Sequence, residues 1–521
     1  MVRSLLMKPL RRAYRLALSD DLTQEPPIAA DLPPLQTPEN QLEPQSYEAA
    51  SVLVVGAGLA GLTVAYRLRQ AGVMADVIEA AGRVGGRVES VPHALGTSLT
   101  AELGAEFIDS NHCCLRSLTA ELNLTLLDRQ AHQPDGPTTL FFAGQRVDED
   151  AIAQDFATIA PWLERDVAKI KGFRTYKSNC PAAVELDRRS LSQYLDKLPI
   201  SARLRQLIEI AYTVEFGQEA AAQSCLNFLY LIGIRPALEL LGTCDERFYV
   251  AGGNEQVAQR LATQLNGQIA TDCALVALSR RADGQYRAVM QSGLGLQEKC
   301  YERVVLTIPF SVLRSLDLRL DLPLAKRQAI DRLGYSHNHK LITAYRQRIW
   351  REQAAHSFTD LAFQNTWESD IATRDRTGAG LLTTFTGGDE GKALSDCLPE
   401  EQVEKLRSQW EQVFPGLSAA ALPGGLSRSW LREAHIQGAY ACYLVGQWTG
   451  FYGAERERVE NLFFAGEHCS VDFQACMEGA CQTGEQAALE ILQDLRRVPQ
   501  TYSLQQRYGS AFRQGSEPVP F

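Results

Sequence analysis

Gly56, Gly58 and Gly61 stand in the run Gly56-Ala-Gly58-Leu-Ala-Gly61, directly after Ser51-Val-Leu-Val-Val55. Glycines at this spacing allow a tight turn, close approach of backbone to a pyrophosphate and close helix packing. A helix that opens there, through Leu59 and Ala60, offers free N–H groups and the positive end of its dipole to an anion. Glu79 follows about 20 residues on, next to Ala80, where a carboxylate accepts hydrogen bonds from a ribose and disfavours a 2′-phosphate. The combination predicts a dinucleotide other than NADP. Arg83-Val-Gly85-Gly86-Arg87 then separates FAD from NAD. Its arginines can face a diphosphate and its glycines let the chain pass the cofactor closely, a second loop that an NAD site does not need. FAD is the cofactor this segment predicts.

The elements that position these residues follow from apolar periodicity. Residues 51–55 form an unbroken apolar run of the kind a buried parallel strand shows. Residues 62–71 have a helical pattern and 75–79 read as a second strand, completing a β-α-β unit. Residues 150–245 carry long amphipathic stretches (152–171, 191–210, 223–241) and predict a helical insertion. A Gly-Gly turn opens a helix over 248–265, and strands alternate across 273–308. Strands at 340–345 and 380–385, a helix at 400–413, a strand end at 463–467 and a helix from 477 to 497 complete the pattern. The predicted fold class is α/β. A Rossmann-like FAD-binding domain, built from 50–110, 248–312 and 430–497, interleaves with a substrate domain of mixed sheet and helical insertion, built from 111–247 and 313–429. Residues 1–49 read as an extension with a Pro-rich tether, and 498–521 as a C-terminal tail.

With 521 residues, the chain is long enough to bury roughly 75% of its unfolded surface. Lys and Arg number 52 against 62 Asp and Glu, a net charge of -10, and no basic block offers a phosphate-binding surface, so a nucleic-acid partner is not expected. Twelve cysteines without zinc-like spacing read as reduced, which points to the cytoplasm. Arg11 and Arg12 could belong to a twin-arginine export signal, but the apolar stretch after them is cut short by Asp20 and Asp21. No run approaches the length of a membrane span. His337 and His339 alternate onto one face, yet no third ligand accompanies them, and no metal site is expected.

Residues 52–87 resemble the flavin-containing amine oxidase superfamily, which includes monoamine, polyamine and bacterial L-amino-acid oxidases, and the likeness extends through most of residues 50–495. By that resemblance Gly104, Ala105 and Glu106 pass beside the isoalloxazine, and Gly252-Gly253 is a second glycine turn. Leu275 or Val276 meets the adenine, and Gly466 and Glu467 contact the ribityl and phosphate region. Ala475, Cys476 and Met477 open a helix that stabilises negative charge on the reduced flavin. Lys340, ten residues before Trp350, is similar to the lysine that holds a water against the reactive flavin nitrogen. Trp430 and Tyr440 resemble one wall of the family's aromatic cage. Lys340 and Tyr440 are thus the implied assisting residues in catalysis, and Glu106, Phe107, Tyr440, Cys476 and Trp430 the implied substrate contacts.

Departures from the family pattern are informative. Ala439 stands where monoamine oxidases carry the cysteine bonded to flavin, so the FAD is expected to be non-covalent. Cys476 replaces the second cage aromatic and leaves the cage half open. Glu106 and Phe107 occupy the stretch where amino-acid oxidases place a carboxylate-binding arginine; Arg428 or Arg432 could replace it. Glu106, Glu215 and Glu219 could favour a cationic substrate. The resemblance implies an oxidase that takes a hydride equivalent from a C–H bond beside an amine nitrogen. The imine goes on to an aldehyde or 2-oxo acid, and O2 becomes hydrogen peroxide. Amine oxidase and L-amino-acid oxidase stand level. The alternative is a flavin desaturase or porphyrinogen-type oxidase acting on a large apolar substrate. The implied partners are a small amine or amino acid and molecular oxygen, and a homodimer is compatible with the size and charge.

Overall fold

The structure, a computed structural model, describes residues 51–129, 138–231, 245–352, 356–369 and 378–508. The N-terminal extension, residues 232–241 of the third amphipathic stretch and the last part of the tail lie outside the described residues.

A five-stranded sheet carries the glycine turn. Its order is Leu462–Phe464, Arg303–Leu306, Val52–Val55, Asp76–Ile78, Ile269–Ala270, and every neighbouring pair is parallel. The strand Val52–Val55 is buried along its length, as a central parallel strand covered on both faces must be. Val52 and Val54 pack with the helices Leu59–Gln70 and Met477–Asp494, whereas Leu53 and Val55 join the larger core on the other face. The two helices approach closely because position 484 is glycine: a Cβ there would lie 2.6 Å from the Ala60 carbonyl oxygen.

A seven-stranded sheet forms the second layer system, in the order Leu426–Ser429, His339–Tyr345, Gly380–Thr386, Asn365–Ser369, Ser357–Thr359, Thr139–Phe142, Gln145–Val147. It is antiparallel except between Ser357–Thr359 and Thr139–Phe142. Beside it the insertion is helical where described: Glu149–Lys169, Pro181–Asp187, Leu191–Leu195, Ala202–Phe216 and Cys225–Leu231. The stretch 191–210, read from sequence as one helix, is two. Pro199 lies in the break, where its missing N–H and fixed φ disfavour a continuous helix, and Ser201 caps the new helix by accepting from the Leu204 N–H at 3.1 Å. Residues 504–508, assigned to a tail, form a short helix whose Leu504 and Tyr508 are buried.

Candidate functional site

A cavity of about 460 Å3 runs between the two sheets. At one end lie Gly56, Gly58, Leu59 and Ala60 of the turn, with Glu79, Ala80, Arg83, Gly86 and Arg87. Gly56 has φ +104°, a backbone state that side chains resist. Gly58 faces open space, with no atom within 4 Å of a Cβ built on it, whereas Gly61 turns away from the cavity: a Cβ there would sit 1.9 Å from the Gly56 carbonyl oxygen. The helix Leu59–Gln70 has no side-chain cap and no acid in its first turn, so its first N–H groups keep their capacity for an anion. Glu79 is held in place by the N–H groups of Ala57 (2.7 Å) and Ala81 (2.9 Å).

The two arginines sit differently from the simple expectation that both face a diphosphate. Arg83 folds back on its own loop and donates to the carbonyls of Gly86 (2.6 Å) and Val88 (3.2 Å). Arg87 donates to the Ala439 carbonyl (2.9 Å) and to Glu467 (2.7 Å). Glu467 also accepts from the N–H groups of Ala441 (3.2 Å) and Ala475 (2.8 Å). Its carboxylate therefore joins three separate parts of the chain. Gly104, Ala105, Leu275, Val276, Gly466, Glu467, Ala475, Cys476 and Met477 all line the same cavity.

The other wall is one face of the seven-stranded sheet. Lys340 is paired across strands with Phe385 on one side and Arg428 on the other. Phe385 is paired with Asn365, two residues from Trp367. Side chains alternate with period two, so Asn338, Lys340, Phe385, Trp367, Arg428 and Trp430 come to one face, and all six line the cavity. Tyr440 completes it, its hydroxyl donating to the Glu215 carbonyl at 2.6 Å. Trp367 and Phe385 were missed in the sequence. Both lie in buried strands, and the signal that would have found them was the register of those strands to Lys340.

Lys340 is buried, and its ammonium donates to the carbonyls of Glu102 and Gly104, each at 2.9 Å, and to Glu106 Oε2 at 3.1 Å. Glu106 Oε1 accepts from the Trp367 indole N–H at 3.1 Å. Glu106 and Phe107 do not line the main cavity. They border a separate small one behind it, Phe107 beneath the Arg129 guanidinium, which lies 4.5 Å from its ring centroid. Their assignment as substrate contacts is corrected accordingly, and Glu106 is corrected as a cofactor contact too. Trp430 lies between Arg83 and Arg428, 5.8 and 5.2 Å from its ring centroid. Cys476 is the first residue of the turn into Met477–Asp494 and forms no side-chain cap.

The substitute clamps are accounted for. Arg428 donates to Glu89 and to Glu433, each at 2.6 Å. Arg432 pairs with Asp396 on the surface. Glu219 accepts from the Asp389 N–H at 2.9 Å, at the start of the helix Gly388–Ser395, so it is a helix cap. His339 contacts Ser427 (2.9 Å) and His337 contacts Gln218 (3.1 Å); burial lowers both imidazoles to about 4. The two histidines do not share a site.

These features define a class: an α/β dinucleotide-binding oxidoreductase whose cofactor groove runs into a chamber walled by aromatic rings and a buried lysine. The chain matches the family described as flavin containing amine oxidoreductase over residues 59–492, and it belongs to that family. Its cofactor is FAD. Curated relatives include flavin-containing amine oxidase B from Canis lupus familiaris, 24% identical over 467 residues, and from Homo sapiens, 23% identical over 481 residues. Each alignment covers 86% of this chain and 87% of the relative. Among solved structures, cyclohexylamine oxidase from Brevibacterium oxydans IH-35A has a TM-score of 0.73 at 20% identity, covering 86% of this chain and 100% of the other. Putrescine oxidase bound to putrescine has a TM-score of 0.72 at 20% identity, covering 85% and 99%. These two likenesses concern the fold. No helix among the described residues is long and apolar enough to cross a membrane.

Proposed function

We propose that this protein oxidises a free amine, rather than an amino acid, to an imine with transfer of electrons to O2 and release of hydrogen peroxide. The observation that carries the reading is the state of the cavity's arginines. Arg83, Arg87 and Arg428 are the arginines lining it among the described residues, and each donates to protein acceptors. A substrate carboxylate would have to displace a glutamate or a carbonyl from one of them, whereas an amine makes no such demand.

FAD, when bound, supplies the two-electron chemistry. Gly56, Gly58 and the helix start at Leu59 would hold its diphosphate, Glu79 its ribose, and the start of Met477–Asp494 its flavin end. Ala439 supports non-covalent attachment. The protein's own work is orientation and exclusion of water. Tyr440, Trp367 and Phe385 offer apolar faces that favour the neutral amine, the form able to release hydride. Lys340 stands at the same wall, held by the Glu102 and Gly104 carbonyls and by Glu106. We read the chain as interleaved cofactor and substrate domains, as a cytoplasmic protein, and as a candidate homodimer.

Anaerobic mixing of the holoenzyme with putrescine, phenethylamine, L-lysine and L-phenylalanine tests this through the flavin absorbance. Bleaching by the amines, with the corresponding amino acids inert, is expected. Bleaching by the amino acids alone would overturn the choice and return Arg428 to the role of clamp. A flavin bleached by neither would favour a large apolar substrate.

A further inference from the structure

Behind Lys340 lies the small cavity of about 20 Å3, bordered by Glu102, Glu106, Arg129 and Glu368. That volume admits one water, and the polar groups around it are enough to hold one. Glu106 borders this chamber, and its carboxylate accepts from Lys340 and Trp367, both of which line the main cavity. Glu102 is 5% exposed. Its two oxygens meet the Asn254 N–H at 2.8 Å and the Ser90 hydroxyl at 2.7 Å. The Ser90 hydroxyl oxygen in turn accepts from the Glu255 N–H, and Glu255 Oε2 accepts from the Ser90 N–H. Arg129 is held by the Glu246 carbonyl, and Glu368 by Arg348 and by the Trp350 indole.

Burial is the main reason the Glu102 carboxyl is raised to about 8. The bonds from Asn254 and Ser90 oppose the shift, Glu106 adds to it and Lys340 opposes it. Glu102 therefore carries a proton at neutral pH, while Glu106 sits against an ammonium.

We propose that this chamber is a proton store: a water in it joins the carboxyl groups of Glu102 and Glu106, and the proton on Glu102 reaches Lys340 through Glu106. The inference rests on the oxidase reading above. O2 leaves as hydrogen peroxide after taking two electrons and two protons. The hydride equivalent from the amine brings both electrons and one proton, so one further proton must enter the main cavity in each turnover. Lys340 gives it, the proton on Glu102 passes through the water to the Glu106 carboxylate, and Glu106 hands it on to Lys340. Overall balance holds because an ammonium substrate sheds one proton to solvent when it binds as the neutral amine, and Glu102 regains one from solvent. Glu102 touches neither substrate nor flavin and is a positioning and proton-holding residue.

Glu102→Gln in the holoenzyme tests this, because the amide keeps an acceptor for Asn254 and a partner for Ser90. Dithionite-reduced enzyme is mixed with O2 at a series of pH values, so the measurement needs no amine substrate and is separate from the choice of substrate. In the wild type, reoxidation is expected to slow about tenfold per pH unit above the Glu102 value. In Glu102→Gln it should be slow and flat at all pH values. Infrared spectra of the wild type, titrated from pH 6 to 10, should show the band of a buried protonated carboxyl lost near pH 8 and absent in the variant. An unchanged reoxidation profile in Glu102→Gln, or no such band in the wild type, would overturn the proposal. Should the variant not fold, the wild-type infrared titration decides alone. Amines that fail to bleach the flavin would count against the function and leave these two readouts standing.

Discussion

At the scale of single residues, Lys340 and Glu106 form a buried pair whose members depend on each other. Replacing a buried cation leaves its partner charge uncompensated, at a cost of about 3–5 kcal/mol. Lys340→Met should therefore lower stability by that order in urea unfolding, and adding Glu106→Gln should recover most of the loss. If the double variant is no more stable than the single one, the pair is not the source of the effect. Glu102 gives a pH dependence of definite sign. It holds its proton up to about pH 8 in the fold and to about 4.3 in an unfolded chain. Its contribution is complete below the lower value and drains away as pH rises to the higher one. The melting temperature of Glu102→Gln should accordingly rise relative to wild type across that window, by an amount equivalent to a few kcal/mol. A difference between the two that does not change with pH would contradict it.

At the scale of elements, the glycine turn and the antiparallel sheet differ in how much of them sequence reveals. The turn is legible because its constraints are local. Gly56 has a positive φ, Gly58 leaves open space where a side chain would stand, and Gly61 lets a helix touch the preceding turn. Gly58 and Gly61 are expected to fail differently on substitution. Gly61→Ala puts a methyl group onto the Gly56 carbonyl and should impair folding. Gly58→Ala should fold with near-native stability and bind FAD at least tenfold more weakly, read by flavin retention on desalting. Equal loss of stability in both would refute the distinction. The aromatic wall was not legible, because Trp367 and Phe385 join Lys340 only through strand register, which depends on residues far along the chain. Glu106 was misplaced for a related reason. It follows Ala105, which faces the main cavity, but adjacent residues of an extended chain point opposite ways, and motif adjacency does not say which side a side chain takes.

At the scale of the whole molecule, buried charges join an N-terminal part of the chain to a C-terminal one. Arg67 pairs with Glu121 and Glu485, and Arg507 approaches the same two acids at 3.4 and 3.5 Å. Ending the chain at residue 500 would remove Arg507 with the buried Leu504 and Tyr508. Stability is expected to fall by about 2–4 kcal/mol with the flavin spectrum unchanged, and an unaltered melting temperature would show that the segment is dispensable. The parallel sheet has a consequence for synthesis. Val52–Val55 is flanked by Arg303–Leu306, whose other neighbour is Leu462–Phe464, so the glycine turn emerges from the ribosome about 400 residues before the sheet that supports it is complete. Val52–Val55 itself gains its second neighbour, Arg303–Leu306, about 250 residues after it is made, so at roughly 5–20 residues per second it waits on the order of 12–50 s with an open edge. The nascent chain is therefore a natural client for chaperones, and FAD can enter only after nearly all of it has been made.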